Sequence, residues 1–144
     1  MALIEAKRKD ADLQKVFSLL EKSLHDGNPE AAYALWTWYF YGKYVTKNIK
    51  KAISLLRLAS KHNLPDALFD LAASYEIGNG VKKNLRLAME YYLRASLYGD
   101  NQAIYEVGRC YYYGIGVTKC RRVAWIWLDR AKSLGITGES VKKL

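Results

Sequence analysis

The hydrophobic and polar positions of this chain recur with a period of 36 residues. In the clearest copy, apolar side chains stand at three- and four-residue steps in two successive stretches: Ala103, Ile104, Val107 and Tyr111, then Val123, Ala124, Trp127, Leu128 and Ala131. Such steps place side chains on one face of an α-helix. Each copy therefore predicts two helices, which we call helix A and helix B.

Polar residues and glycines mark where these helices begin and end. Asp100 precedes helix A and can cap it, and Gly114 and Gly116 stand between the two helices. Glycine tolerates the left-handed conformation that ends a helix, so this position predicts a tight corner and an antiparallel hairpin. Gly135 stops helix B. Asn48 and Asn84 are predicted to cap helix B in the two earlier copies.

Three copies, at residues 28–63, 64–99 and 100–135, predict an all-α repeat fold in a single domain. Residues 1–27 contain a stretch that matches a helix B without its helix A, and we expect it to be an N-terminal capping helix. Residues 136–144 lack the alanine of helix A and are expected to be a short C-terminal cap or tail. Trp36 stands where the later copies have the small residues Ala72 and Gly108, which predicts different packing in the first copy.

Composition narrows the class of protein further. The 144 residues include twelve tyrosines and four tryptophans but two prolines, which excludes a disordered chain. No apolar run is long enough for a signal peptide or a membrane span, so we expect a cytoplasmic protein. Cys110 and Cys120 are expected to be free thiols. The net charge of +9 is concentrated in the first and third copies and favours acidic partners.

The corner and helix B motifs resemble those of the Sel1-like repeat family, short relatives of tetratricopeptide repeats. The residues that carry the resemblance are Val107, Gly108, Tyr111, Gly114, Gly116 and Val117 at the corner, and Ala88, Tyr91, Tyr92, Arg94, Ala95 and Gly99 in helix B. The resemblance implies a right-handed superhelix of antiparallel helix pairs that acts as a protein-binding scaffold or adaptor without enzymatic activity. A cysteine-rich subgroup pairs cysteines near the places of Ala103 and Ala131, so its disulfide scheme is absent here.

A second stripe of helix A, off the main core stripe, is the first candidate binding surface. In a superhelix of this family the A helices are expected to line the concave side, and tyrosine and arginine carry much of the energy of protein interfaces. The alternative is that individual rings pack between repeats. We call this stripe the A-helix face, and its residues are Tyr33, Thr37, Phe40, Tyr41, Phe69, Glu76, Ile77, Tyr105, Arg109, Tyr112 and Tyr113.

A row of bases at the starts of successive B helices is the second candidate surface. Helix N-termini already carry positive partial charge, so bases there favour an anionic partner. The alternatives are a solvated face inherited from the family's habitual lysine, or nucleic-acid binding. We call this row the basic edge, and it consists of Lys47, Lys50, Lys83, Arg86, Lys119 and Arg122.

Catalytic, cofactor and metal sites are not predicted. His25 and His62 occupy helix ends without a nucleophile or carboxylate pair nearby, and Gly78-Asn79-Gly80 follows a helix rather than a strand. Cys120 lies between two bases at a helix start, and an enzyme that uses it is the third hypothesis after protein binding and nucleic-acid binding. We expect a monomer that binds a protein partner, either a regulatory protein or a toxin that the chain neutralises, and that has no membrane contact.

Overall fold

The computed structural model describes the backbone of residues 2–136 and the side chains of residues 10–136. Within this part the chain forms helices only: α1 Ala2–His25, α2 Pro29–Tyr41, α3 Ile49–Lys61, α4 Pro65–Ile77, α5 Leu85–Leu97, α6 Asn101–Tyr113 and α7 Arg121–Ser133. Helices α2, α4 and α6 are the A helices, and α3, α5 and α7 are the B helices. Residues 137–144, the predicted C-terminal cap or tail, lie outside the described residues.

Most helix starts have the predicted caps. The Oδ1 atom of Asn48 accepts a hydrogen bond from the Lys51 amide at 3.1 Å, and Asn84 and Asp100 accept equivalent bonds at 3.1 Å. Cys120 has the same extended backbone as the two asparagines, but its side chain makes no cap bond. The start of α7 is therefore less well capped than the starts of α3 and α5.

The same corner joins helix A to helix B in each repeat. The amide of the residue before helix B donates to a tyrosine carbonyl near the end of helix A: Asn48 to Tyr39 at 2.8 Å, Asn84 to Tyr75 at 2.9 Å, and Cys120 to Tyr111 at 2.9 Å. Gly42, Gly78 and Gly114 end the A helices with positive φ. Because the corner is held by backbone groups, it keeps one geometry although the capping side chain changes.

Contacts divide the chain into two units, residues 1–62 and 63–144. In the first unit, α1 packs on α2 and α2 pairs with α3. Leu35 and Leu56 are fully buried between α2 and α3, and Phe17 of α1 lies 5.8 Å from the ring of Trp38. Trp36 is buried at the position where the later repeats have Ala72 and Gly108. Its Nε1 atom has no hydrogen-bond partner among the described residues.

In the second unit, α4 pairs with α5, α6 pairs with α7, and α5 packs on α6. Ala95 and Ala103 are fully buried with Leu68 where these helices meet. A Cβ atom on Gly108 would lie 2.8 Å from Cγ of Leu128, so glycine, which has no Cβ atom, allows α6 to approach α7 this closely. The predicted all-α fold of antiparallel helix hairpins is confirmed.

Candidate binding surfaces

The A-helix face lies on the side of the A helices that the core leaves uncovered. Each of its residues is half-buried or exposed, whereas neighbouring positions such as Leu71 and Val107 are fully buried. Tyr41, Ile77 and Tyr113, the last residues of the three A helices, are 72%, 74% and 66% exposed. No residue of the face is buried, and Ile104 and Tyr111, which the pattern assigned to the core stripe of α6, are themselves only half-buried.

In the first unit, the face consists of aromatic side chains that contact one another. The Phe40 ring lies 5.3 Å from the ring of Trp36 and 5.0 Å from that of Tyr41, both edge-on. The Thr37 hydroxyl donates to the Ala34 carbonyl at 3.0 Å, which leaves its methyl group to contribute apolar surface. Tyr33 is half-buried. This half of the face is apolar and uncharged.

In the second unit, the two charged residues of the face bind each other. Arg109 donates from Nη2 to Oε1 of Glu76 and from Nε to Oε2 of Glu106, both at 2.6 Å, and the Tyr92 hydroxyl donates to Glu76 at 3.0 Å. Arg109 thus links α4 to α6 and is held by two carboxylates rather than extended into solvent. The sequence indicated these residues as polar handles but did not indicate their pairing.

Burial and close partners shift the pKa values of the groups in this cluster. Burial raises the pKa of the Glu106 carboxyl above its usual value, although the charge and hydrogen bond of Arg109 oppose the rise. Burial by itself would lower the pKa of Arg109, but its bonds to Glu76 and Glu106 hold that pKa above the ordinary value, so the guanidinium stays charged. Burial, followed by the charge of Glu76, raises the pKa of Tyr92, so its hydroxyl remains a donor.

Aromatic side chains at the last hairpin form a separate cluster. The Tyr112 ring lies 4.8 Å from Tyr113 and 6.2 Å from Trp125 of α7, and the Arg121 guanidinium lies 4.7 Å from the centre of the Tyr112 ring. Phe69 instead packs edge-on against Tyr92 at 5.3 Å. Tyr105 lies beside Trp125 in an open depression. Sequence reasoning missed Trp125, whose counterpart in the preceding repeat, Met89, is buried and gives no sign of an exposed ring.

The basic edge is exposed to solvent. All six of its side chains are exposed, and none has an ion-pair partner within the described part of the chain. Three of its four lysines also have a packing role, because a Cβ atom on Gly42, Gly78 or Gly114 would approach Cβ of Lys47, Lys83 or Lys119 at 3.1 to 3.2 Å. Packing at the corner thus explains the presence of the aliphatic stems of these lysines, but it does not explain the presence of their ammonium groups.

The remaining reactive groups are dispersed. Both cysteines are free; Cys110 is fully buried, and burial raises the pKa of its thiol to about 12. His25 ends α1 and His62 follows α3. Among the described residues no group of three metal-binding side chains occurs, and no helix there has the length and apolar character to cross a membrane.

These observations define an α-helical repeat protein built from hairpins with a common corner. The Sel1 repeat profile matches residues 29–64, 65–100 and 101–136. The chain belongs to the Sel1 repeat family, whose members are helical scaffolds that generally mediate protein–protein interaction and are generally not enzymes.

Solved structures of this family are similar to the chain along most of its length. The Sel1 repeat protein from Oxalobacter formigenes is 34% identical, with a TM-score of 0.78 over 92% of this chain and 96% of that one. The uropathogenic Escherichia coli protective antigen c5321 is 28% identical, with a TM-score of 0.79 over 83% of this chain and 26% of that one. Helicobacter pylori cysteine rich protein B is 26% identical, with a TM-score of 0.66 over 94% and 96%. No curated protein matches the chain.

Proposed function

We propose that this chain is a non-enzymatic adaptor of the cytoplasm that binds a partner protein through its A-helix face, the side that the resemblance predicts to be concave. The observation that carries the proposal is the exposure of Tyr41, Ile77 and Tyr113, each at least 66% accessible at the same place in its repeat. Single exposed apolar side chains are common on protein surfaces. These three side chains do not contribute to the core, and their exposure recurs at the same position of three successive repeats. This recurrence favours an interface with a partner.

The chemistry of the face fits a protein partner. Tyrosines provide rigid apolar area with a polar end, which is the side-chain type that dominates interface energies. The Arg109 cluster adds hydrogen-bonding groups that are already held in place, because Arg109 is fixed by Glu76 and Glu106. A partner would thus meet rings and a preformed polar site without ordering long side chains.

The test replaces the three exposed apolar side chains together: Tyr41→Ser, Ile77→Ser and Tyr113→Ser. Because they are exposed, we expect the fold to be retained and partner binding to fall by at least about tenfold. A matched control replaces Leu97, Tyr98 and Ile126, which are 72%, 52% and 66% exposed on or just after the B helices, with serine. Proteins recovered from native lysate by the wild type and by the control, but not by the face variant, are the partners under this proposal.

Equal recovery by all three proteins would refute the proposal. A recovered partner also distinguishes the two partner classes, a regulatory protein and a toxin that the chain neutralises. A toxin would arrest growth when expressed alone, and the wild type but not the face variant would restore growth. A regulatory protein would not arrest growth.

The basic edge is the basis for a second candidate function, nucleic-acid binding. Its six exposed bases have no ion-pair partner in the described residues, which leaves them available to phosphates. The test is retention of RNA or DNA as a function of salt, with all six bases replaced by glutamine as the comparison. Binding that falls steeply with salt and is lost in this edge variant would support the candidate, and the absence of retention at low salt would exclude it.

A further inference from the structure

The corner of repeat one has a tyrosine where the other two corners have glycine. Tyr44 has a φ of +66°, and its counterparts Gly80 and Gly116 have φ values of +76° and +67°. The Val45 amide donates to the Lys43 carbonyl at 2.7 Å, so Tyr44 is the centre of a three-residue turn. Glycine takes this left-handed conformation without strain, whereas a residue with a Cβ atom is strained there.

Packing explains only part of the choice of tyrosine. The Tyr44 ring lies 5.4 Å from the ring of Phe17 in α1 and 6.1 Å from that of Trp38 in α2. In repeat three such a side chain is excluded, because a Cβ atom on Gly116 would lie 2.0 Å from the carbonyl oxygen of Leu85. Nevertheless 45% of Tyr44 is exposed. The first repeat thus holds a strained residue whose aromatic side chain is accessible to a ligand.

The sequence on both sides of Tyr44 is basic. Between Glu30 and Asp66 it contains six lysines and arginines and no acid. Lys43 directly precedes the tyrosine, and its Nζ atom lies 5.1 Å from the centre of the Trp38 ring, which the Tyr44 ring also contacts. The ammonium group and the exposed ring therefore lie beside the same tryptophan.

Two further lysines belong to this corner. Lys47 is held against it, because its Cβ atom lies 3.1 Å from the place that a Cβ atom on Gly42 would take. Lys50 follows in the first turn of α3. The lysines that are exposed here and have no ion-pair partner in the described part of the chain are Lys43, Lys47 and Lys50. We call Tyr44 and these three lysines the first corner.

An accessible ring beside several ammonium groups matches the chemistry of an unpaired nucleotide. Proteins bind single strands by placing positive charge along the phosphates and stacking nucleobases on aromatic side chains. An acidic peptide would satisfy the lysines, but its carboxylates offer no flat face for the ring. We propose that the first corner binds single-stranded nucleic acid, with Tyr44 stacked on a nucleobase and the lysines on the phosphates. This inference rests on the nucleic-acid candidate and not on the A-helix face.

The probes are labelled oligo(dT) and oligo(U) of about 20 nucleotides and a DNA duplex of the same length, with binding followed by fluorescence anisotropy at about 0.05 M NaCl. Tyr44→Leu keeps an apolar side chain on Phe17 but removes the ring. We expect it to weaken single-strand binding by at least about fivefold and duplex binding by less than about twofold, because paired nucleobases are not available to stack. Tyr44→Phe keeps the ring and should bind single strands within about twofold of the wild type.

Tyr98→Leu is the matched control for the ring. Tyr98 is 52% exposed and lies in the second unit, so its loss should change single-strand binding by less than about twofold. Urea denaturation of each variant checks that it is folded. If Tyr44→Leu proves unstable, Tyr44→Gly takes its place, because glycine relieves the strain at this φ.

Two glutamine variants test the charges. One replaces the three lysines of the first corner, and the other replaces three residues of the basic edge that lie in the second unit: Lys83, Arg86 and Lys119. Each variant loses three positive charges. We expect the first variant to weaken single-strand binding by at least about tenfold and the second by less than about threefold, because salt screens distant charges.

Several results would overturn the proposal. Failure of the wild type to bind either single strand would do so, and if the duplex also failed to bind, the nucleic-acid candidate itself would be refuted while the A-helix face would be unaffected. Equal losses of single-strand and duplex binding in Tyr44→Leu would mean that the ring supports the corner and does not stack. Equal losses in the two glutamine variants would indicate a general charge effect. Tighter binding of polyglutamate than of oligo(dT) would assign the first corner to an acidic protein.

Discussion

Gly116 is a residue at which the backbone of repeat three lies very close to that of repeat two. Its φ is +67°, and a Cβ atom there would lie 2.0 Å from the carbonyl oxygen of Leu85 at the start of α5. Neither backbone segment can yield without moving a helix. We expect Gly116→Ala to lower the free energy of unfolding by about 2–4 kcal/mol, measured by urea denaturation.

Gly27→Ala separates the cost of backbone strain from the cost of the close approach to Leu85. Gly27 also has a positive φ, +86°, but nothing lies within 4 Å of the position that the alanine methyl group would occupy. We expect a loss of about 1 kcal/mol, from backbone strain alone. Equal losses at the two glycines would show that the close approach to Leu85 does not contribute.

Glu106 makes the stability of the second unit dependent on pH. Because burial raises its pKa, the folded protein holds the Glu106 proton more tightly than the unfolded chain does. Stability from this group is therefore fully present below the unfolded-state pKa and is lost as the pH rises through the folded-state pKa. Glutamine keeps an oxygen for the Arg109 bond but does not titrate. We expect the free energy of unfolding of Glu106→Gln, relative to that of the wild type, to increase as the pH rises from about 4 to about 7.

Urea denaturation of both proteins at several pH values measures this difference. A constant difference across the range would contradict the prediction.

The polar cluster also illustrates what sequence alone could supply at this scale. The non-core position of Glu76 and Arg109 followed from helical spacing, whereas their 2.6 Å bond joins residues 33 positions apart and depends on how α4 and α6 are seated.

At the scale of the element, Cys120 is the weak point of α7. Its backbone angles, φ −149° and ψ 98°, match those of Asn84, φ −151° and ψ 100°, whose side chain caps α5. An asparagine at position 120 would accept the hydrogen bond that the thiol does not. We expect Cys120→Asn to raise the free energy of unfolding by about 0.5–1 kcal/mol in urea denaturation.

Cys120→Ala is the control for loss of the thiol and should change stability by less than about 0.5 kcal/mol. If the alanine variant gained as much as the asparagine variant, the effect would come from removing cysteine and not from capping. The comparison is direct because the corner bond from residue 120 to Tyr111 uses backbone atoms and is kept in both variants.

The elements themselves were largely predictable from the sequence, because their signals are local. Asn48, Asn84 and Asp100 cap helices as expected, and the corner glycines end helices with positive φ. Helix α1 begins earlier than the matching stretch suggested, at Ala2. Its first turns lie outside the register of the repeats, so alignment with later copies had nothing to indicate them.

At the scale of the whole molecule, the excess of positive charge opposes folding. The net charge is +9, and six of the bases stand at helix N-termini on the basic edge. Replacing these six with glutamine lowers the net charge to +3 and removes unfavourable interactions with the helix dipoles. We expect the free energy of unfolding at low salt to rise by about 1–2 kcal/mol.

Salt provides the check on this prediction. Unfolding in urea at about 0.02 M and 0.5 M NaCl should bring the two proteins closer together at the higher concentration, because counterions screen exposed charges. A gap that is the same at both concentrations would mean that the substitutions act through packing of the lysine stems against the corner glycines rather than through charge.

Exposure of Trp125 was the part that the repeat pattern could not indicate. Trp125 has the register of a core residue, and in repeat two that register is buried. Whether a side chain is buried depends on the elements that pack against it, and periodicity within one repeat contains no information about those elements. The pattern therefore predicts which positions have the register of core residues, but it does not predict whether another element buries them.

The unequal environments of the two thiols offer a practical handle for spectroscopy. Cys110 is fully buried with a pKa raised to about 12, whereas Cys120 is accessible at the start of α7. A maleimide dye should therefore label the native wild type at one site and the denatured chain at two. That dye would sit next to Lys119 and Arg121, where the arrival of an anionic macromolecule would change its emission without any engineered cysteine.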